Sequence, residues 1–175
     1  MYRYLAFALL IQIAVGCDFP NGTETALHWW DCGDGTVKLY GVTPLDENGN
    51  YVYPIKLDQP VYVAADIDNT VKEFTESDQL FIDISIWQYG GWLGCKWTEV
   101  PTFGTTSNLA ACTNGVNCPV PTGKQTVQVT LDFTVHKQIV NLLKNDAPYQ
   151  LEYRVTDKST GKYACAALQA RAYTK

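Results

Sequence analysis

Basic residues are scarce in this chain. Among 175 residues, 13 Lys and Arg stand against 18 Asp and Glu, for a net charge of −5. There is no basic run and no polybasic tail, so nothing is available to neutralise a phosphate backbone, and nucleic acid is excluded as a partner class. Histidine is scarcer still: His28 and His136 are the only two. No CxxC pair occurs. Zinc sites usually present closely spaced Cys or His ligands twice over, and a thioredoxin-like redox centre needs CxxC beside a βαβ unit; neither pattern is here. No GxSxG elbow accompanies either imidazole, so a nucleophilic triad has no support. Helix-forming stretches are few and do not alternate with strands, which excludes a parallel sheet covered by helices. No internal repeat and no linker divides the chain.

The N-terminus, MYRYLAFALLIQIAVG, carries one cationic residue (Arg3), an apolar run from Leu5 to Val15, and small residues at Ala14 and Gly16. That is the layout of a secretory signal peptide cleaved between Gly16 and Cys17. The apolar run is too short to span a bilayer comfortably. A bacterial lipoprotein leader also ends before a cysteine but prefers Leu where this chain has Ala14. The expected organisation is a signal peptide over 1–16 and one mature domain over 17–175. All six cysteines fall in the mature part. An even number in a secreted chain implies a disulfide framework, three bonds with fifteen possible connectivities. Asn21-Gly22-Thr23 is a glycosylation sequon.

Alternation dominates the mature chain. Val127, Val129, Leu131, Phe133 and Val135 are interleaved with polar residues, the period-two pattern of a strand with one apolar face. Tyr149, Leu151, Tyr153 and Val155 repeat it, as do Leu80, Ile82, Ile84 and Ile86, and Val61, Val63, Ala65 and Ile67. Val37 and Leu39 indicate a shorter strand. DENGN at 46–50, Gly90-Gly91 and DKSTG at 157–161 supply turns. The one helical candidate is HKQIVNLLKN at 136–145, where Ile139, Leu142 and Leu143 would share a face. These patterns predict an all-β domain, most simply a two-sheet sandwich with one short helical insertion.

Cys112 and Cys118, six positions apart around Gly115, read as a local staple that closes a loop before a strand. In order along the chain come Asp31-Cys32-Gly33 before an alternating strand, Cys112-(five residues)-Cys118-Pro119, and Tyr149-x-Leu151-x-Tyr153-x-Val155-x-Asp157 closing on Cys165. Together these resemble the ML lipid-recognition family. That family includes the Niemann–Pick type C sterol carrier, the Toll-receptor lipopolysaccharide co-receptor, the ganglioside activator protein and group 2 mite allergens. The resemblance implies an immunoglobulin-like β-sandwich that holds a lipid between its sheets. It also implies the pairs Cys32–Cys165 and Cys112–Cys118, which leave Cys17 with Cys95. The helical insertion and the Cys17 and Cys95 positions depart from the compact sterol carrier.

Two further stretches invite chemistry. In VYVAADIDNT, Asp66-x-Asp68-x-Thr70 is the nucleophile pattern of haloacid-dehalogenase-type phosphatases, which need it at the end of a parallel strand. Without such a sheet, Asp66 and Asp68 are expected on the solvent face of a strand near a sheet edge. In WQYGGWLGCKW, Trp87, Tyr89, Trp92 and Trp97 flank a glycine turn and could line the core or a cavity mouth. Val100-Pro101-Thr102-Phe103 resembles the Phe-bearing segment that lines the family's sterol pocket.

The functional expectation is a secreted, non-enzymatic protein that holds a sterol, fatty acid or glycolipid between its sheets and transfers or presents it. Its destination would be the extracellular space or the lysosomal lumen, with transient membrane or receptor contact and no metal or cofactor. The expected lining is Ile82, Ile84, Ile86, Phe103, Val127, Val129, Leu131, Phe133, Leu151, Tyr153 and Val155. The competing expectation is a lipid-free secreted recognition or co-receptor module with a closed interior.

Overall fold

The structure is a computed structural model that describes residues 17–91 and 94–175. The expected leader over 1–16 and Trp92 lie outside the described residues. Among the described residues ten strands form two facing sheets. In chain order they are β1 (His28–Asp31), β2 (Val37–Leu45), β3 (Ile55–Lys56), β4 (Val61–Asn69), β5 (Leu80–Tyr89), β6 (Trp97–Glu99), β7 (Leu109–Ala110), β8 (Gly123–Leu131), β9 (Ala147–Asp157) and β10 (Lys162–Tyr173). One sheet runs β1-β10-β9-β5-β6, with β3 beside β10 and β7 beside β5; the other is β2-β4-β8. Every pairing is antiparallel except β3 with β10. The all-β sandwich with one short helix that the alternation predicted is what the chain forms.

The alternation sets the faces. On β9, Leu151, Tyr153 and Val155 stand opposite Ile86, Ile84 and Ile82 of β5, so these six share the inner face. On the other sheet Val61, Val63, Ala65 and Ile67 of β4 pair with Leu131, Val129, Val127 and Gln125 of β8. β4 is the central strand of its sheet, which corrects the expectation that Asp66 and Asp68 lie near an edge. Asp66 is exposed, and its carboxylate accepts from the Thr126 hydroxyl of β8 at 2.6 Å.

One long side of the sandwich is closed where β1 hands the chain to β2. The Asp31 carboxylate accepts from the Gly33 N–H at 2.8 Å and from the Leu39 N–H at 3.0 Å, so one side chain ties the edges of both sheets. Beside it Cys32 is bonded to Cys165 of β10. The other side is closed by the loop that holds the Cys112–Cys118 disulfide. There Val116 bridges to Val129, and Thr130 N–H donates to the Gly115 carbonyl at 2.9 Å. Gly115 has φ of 110°, and a Cβ there would sit 2.1 Å from the Thr130 carbonyl oxygen. Only glycine lets the loop come that close.

The third disulfide, Cys17–Cys95, fastens the start of the described chain to the β5–β6 turn. These are the two pairs the family resemblance implies and the one it leaves over. In the chain-entropy model, the closure between Cys32 and Cys165, 133 residues apart, contributes on the order of 5 kcal/mol.

Two elements differ from the sequence-based expectation. The strand that was to reach Val135 ends at Leu131, because the Asp132 carboxylate accepts from the Thr134 N–H at 2.9 Å and turns the chain into a 3₁₀ segment, Phe133–His136. Phe133 still enters the core, but Val135 is exposed. The helix predicted over 136–145 is a single turn, α1 (Lys137–Val140). Ile139 is fully buried and Leu143 buried, whereas Leu142 points to solvent.

Candidate functional site

Two cavities lie in tandem between the sheets, of about 140 Å³ and about 80 Å³. Successive inward positions of each strand line first one and then the other. On β4, Ala65 and Ile67 line the first while Val61 and Val63 line the second; on β8, Val127 and Val129 precede Leu131; on β9, Val155 and Tyr153 precede Leu151 and Tyr149. The interior is therefore one apolar trough partitioned near its middle.

The origin of the space is legible on β10. Its inward positions, opposite Val155, Tyr153, Leu151, Tyr149 and Ala147 of β9, are Ala164, Ala166, Leu168, Ala170 and Ala172. Four alanines leave a strip of missing volume under one strand. Facing them from the other sheet, Leu39, Ile67 and Val129 point inward yet remain only half-buried, as does Val155 of β9 beside Ala164, because the space before them is unfilled.

The two cavities end differently. The first reaches the end of the sandwich where β2 and β10 begin, and its lining there includes Thr36, Lys162 and Tyr163, with Lys162 exposed. Asp157 also lies on this lining. Its carboxylate accepts from the Ser159 hydroxyl and N–H and from the Thr160 hydroxyl. These bonds, the Ser159 hydroxyl first, hold its carboxyl below the usual range. The second cavity has no exposed residue among those lining it. Phe133 and Leu143, which flank α1, and Leu27 line its end. The insertion is thus a plug packed into one end of the sandwich.

Two tyrosines separate the ends chemically. The Tyr149 hydroxyl, on the second cavity, donates to the Lys144 carbonyl at 2.6 Å and lies 3.2 Å from the Gln88 side-chain oxygen. The Tyr153 hydroxyl, on the first, is buried with no hydrogen-bond partner among the described residues, and it is the one side-chain polar atom there in that condition. Desolvation pushes both phenols up, so both are neutral at ordinary pH.

Of the eleven expected lining residues, Val127, Val129, Tyr153 and Val155 line the first cavity, and Ile86, Leu131, Phe133 and Leu151 line the second. Ile82 and Ile84 face inward but border neither; Ile82 is fully buried in the filled part of the core that also contains Val100 and Ala111. Phe103 is a correction. Its ring is 73% exposed, at the tip of the loop between β6 and β7. Val100 and Thr106 on either side are buried instead, and the Thr106 hydroxyl donates to the Ile84 carbonyl at 2.8 Å. With both flanks anchored, the tip at Thr102–Gly104 is pushed into solvent. Trp87, Tyr89 and Trp97 line neither cavity; Tyr89 and Trp97 pack on each other at 5.1 Å between ring centroids.

Residues the sequence reading missed include Ala164 and Ala166 of β10, Leu39 of β2, and Phe74, Val116 and Val120 from the loops. Asn21 of the sequon is exposed, and its amide donates to the Gln169 side-chain oxygen at 2.6 Å.

No protein-family model matches the chain, and no curated protein matches it. Among solved structures, a Niemann-Pick type C2 protein from the Japanese carpenter ant is similar at 12% identity and a TM-score of 0.48, over 83% of this chain and 98% of that one. The C-terminal domain of wzt is similar at 12% identity and a TM-score of 0.41, over 83% of this chain and 77% of that one. Neither likeness bears on what this interior holds.

Proposed function

We propose that this sandwich is a secreted, non-enzymatic lipid carrier that takes an apolar molecule into the trough between its sheets. The carrying observation is the first cavity: about 140 Å³, walled by aliphatic side chains and open towards one end. An apolar cavity of this size stays dry and accepts apolar guests. Each methylene buried there contributes about 0.8 kcal/mol, so a sterol, fatty acid or glycolipid tail can be held without a specific polar contact. The lining pairs no nucleophile with a base. Among the described residues no group of three or more His, Cys, Asp or Glu could hold a metal ion. With all six cysteines bonded, the chain suits an oxidising compartment outside the cell or in the lysosomal lumen.

Occupied ligand sites usually measure about 300–1,000 Å³, so filling requires the sheets to part along the alanine strip. The small volume also favours a second reading, a closed recognition module that never opens. Native mass spectrometry of protein secreted by its own source, followed by lipid extraction, separates the two. A co-purifying lipid in stoichiometric amount is expected; protein of bare polypeptide and glycan mass that also refuses added sterol and fatty acid would establish the closed module.

A further inference from the structure

From the unpartnered Tyr153 hydroxyl in the first cavity, we propose that the ligand is a neutral lipid carrying a hydroxyl or carbonyl oxygen buried at the depth of that ring. The inference rests on the lipid-carrier reading and adds the chemistry of the guest. Tyr153 is 8% exposed, and its hydroxyl lacks a hydrogen-bond partner among the described residues. A buried hydroxyl without a partner is disfavoured unless something that enters the site supplies one.

The neighbours do not supply it. Tyr153 stands opposite Ile84 on one side and Ala166 on the other, both apolar. A resident water is poorly held, because a buried water needs about two to four polar partners and, apart from Tyr153 itself and from Thr36, Asp157, Lys162 and Tyr163, the lining is valine, leucine, isoleucine, alanine, Phe74 and the bonded Cys165. The same wall limits the charge of the guest. A buried carboxylate requires a cation, and the cation among the described lining residues is Lys162, exposed at the open end. An anionic head therefore remains at the mouth, whereas a neutral alcohol, ketone or ester oxygen can go deep. The phenol donates to a carbonyl and can either donate to or accept from a hydroxyl.

The test compares wild type with Tyr153→Phe, which keeps the ring and removes only the oxygen. Delipidated protein is titrated with decane, decan-1-ol, decan-2-one and decanoate by displacement of a fluorescent fatty-acid probe. For decan-1-ol and decan-2-one the variant should bind about tenfold more weakly. Decane and decanoate should bind both proteins alike, the first having no oxygen and the second keeping its head near Lys162. Equal affinities of the two proteins for the alcohol and the ketone would overturn the proposal while leaving the carrier reading intact. So would a loss confined to decanoate. Failure of every ligand, probe included, to bind folded wild-type protein would overturn the carrier reading and this proposal with it.

Discussion

The two halves of the trough are built by the same strands yet finished differently. At one end the lining of the first cavity includes the exposed Lys162; at the other, the buried Phe133 and Leu143 line the second. Tyr149 and Tyr153 record the contrast on a single strand. Four residues apart on one face of β9, both are buried, but one phenol is bonded to the Lys144 carbonyl and the other has no partner among the described residues. The plug supplies that carbonyl, and among the described residues none supplies one to Tyr153. What distinguishes the two cavities here is a short insertion at one end and the bonding of the two phenols, not a change of fold.

The largest expected effect tests the wall of the open half. Gly115→Ala places a Cβ against the Thr130 carbonyl at a positive φ. It should cost roughly 3 kcal/mol or more, read as a shift in the urea midpoint. A neutral substitution would mean that the loop is not held against β8.

Removing the plug comes next. Ile139 is fully buried on α1, and Ile139→Ala should cost about 2–5 kcal/mol. If the two halves are independent, probe affinity of the first cavity per folded molecule stays unchanged. A parallel loss of affinity would show that the plug also shapes the open half.

The tyrosines give a difference of sign. Tyr149→Phe discards the bond to Lys144 and should destabilise the lipid-free protein by about 1 kcal/mol. Tyr153→Phe discards an unpartnered buried hydroxyl and should leave it as stable or raise its melting temperature. Equal losses in the two variants would mean that Tyr153 has a partner after all.

The smallest effect is at the mouth. The Asp157 carboxyl is held low by the Ser159 hydroxyl. Its contribution is therefore present above the unfolded-chain value of about 3.9 and is lost as pH falls through the lower folded value. Asp157→Asn should lower the neutral plateau slightly and so flatten the acid arm of the stability–pH curve below about pH 4, leaving stability at the acid extreme little changed; an unchanged acid arm would remove Asp157 from that linkage.

Periodicity decides how much of this was legible in the sequence. β4, β5, β8 and β9 alternate large apolar and polar residues, and their inner faces are the ones read from that pattern. β10, the longest strand, went unread because KYACAALQARAY alternates alanine with small and polar residues, giving weak strand propensity and little contrast between faces. Yet that strand creates the space. Phe103 was misplaced for the opposite reason. Val100-Pro101-Thr102-Phe103 resembles a pocket-lining segment, but a tight turn between two anchored neighbours, Val100 and Thr106, sends the ring outward. Long-range closures of this kind leave no local signal, and neither does an unsatisfied hydroxyl.

The central claim is that the space under the β10 alanines is the binding site. Ala166 faces Tyr153 in the first cavity, and Ala170 faces Tyr149 in the second. Titration of a fluorescent fatty-acid probe into delipidated wild type, Ala166→Leu and Ala170→Leu, each shown by circular dichroism to keep its sheets, tests that claim most directly. The account predicts one bound probe per wild-type molecule, at least a tenfold loss for Ala166→Leu, and a smaller loss for Ala170→Leu. Undiminished binding by a folded Ala166→Leu protein would contradict it.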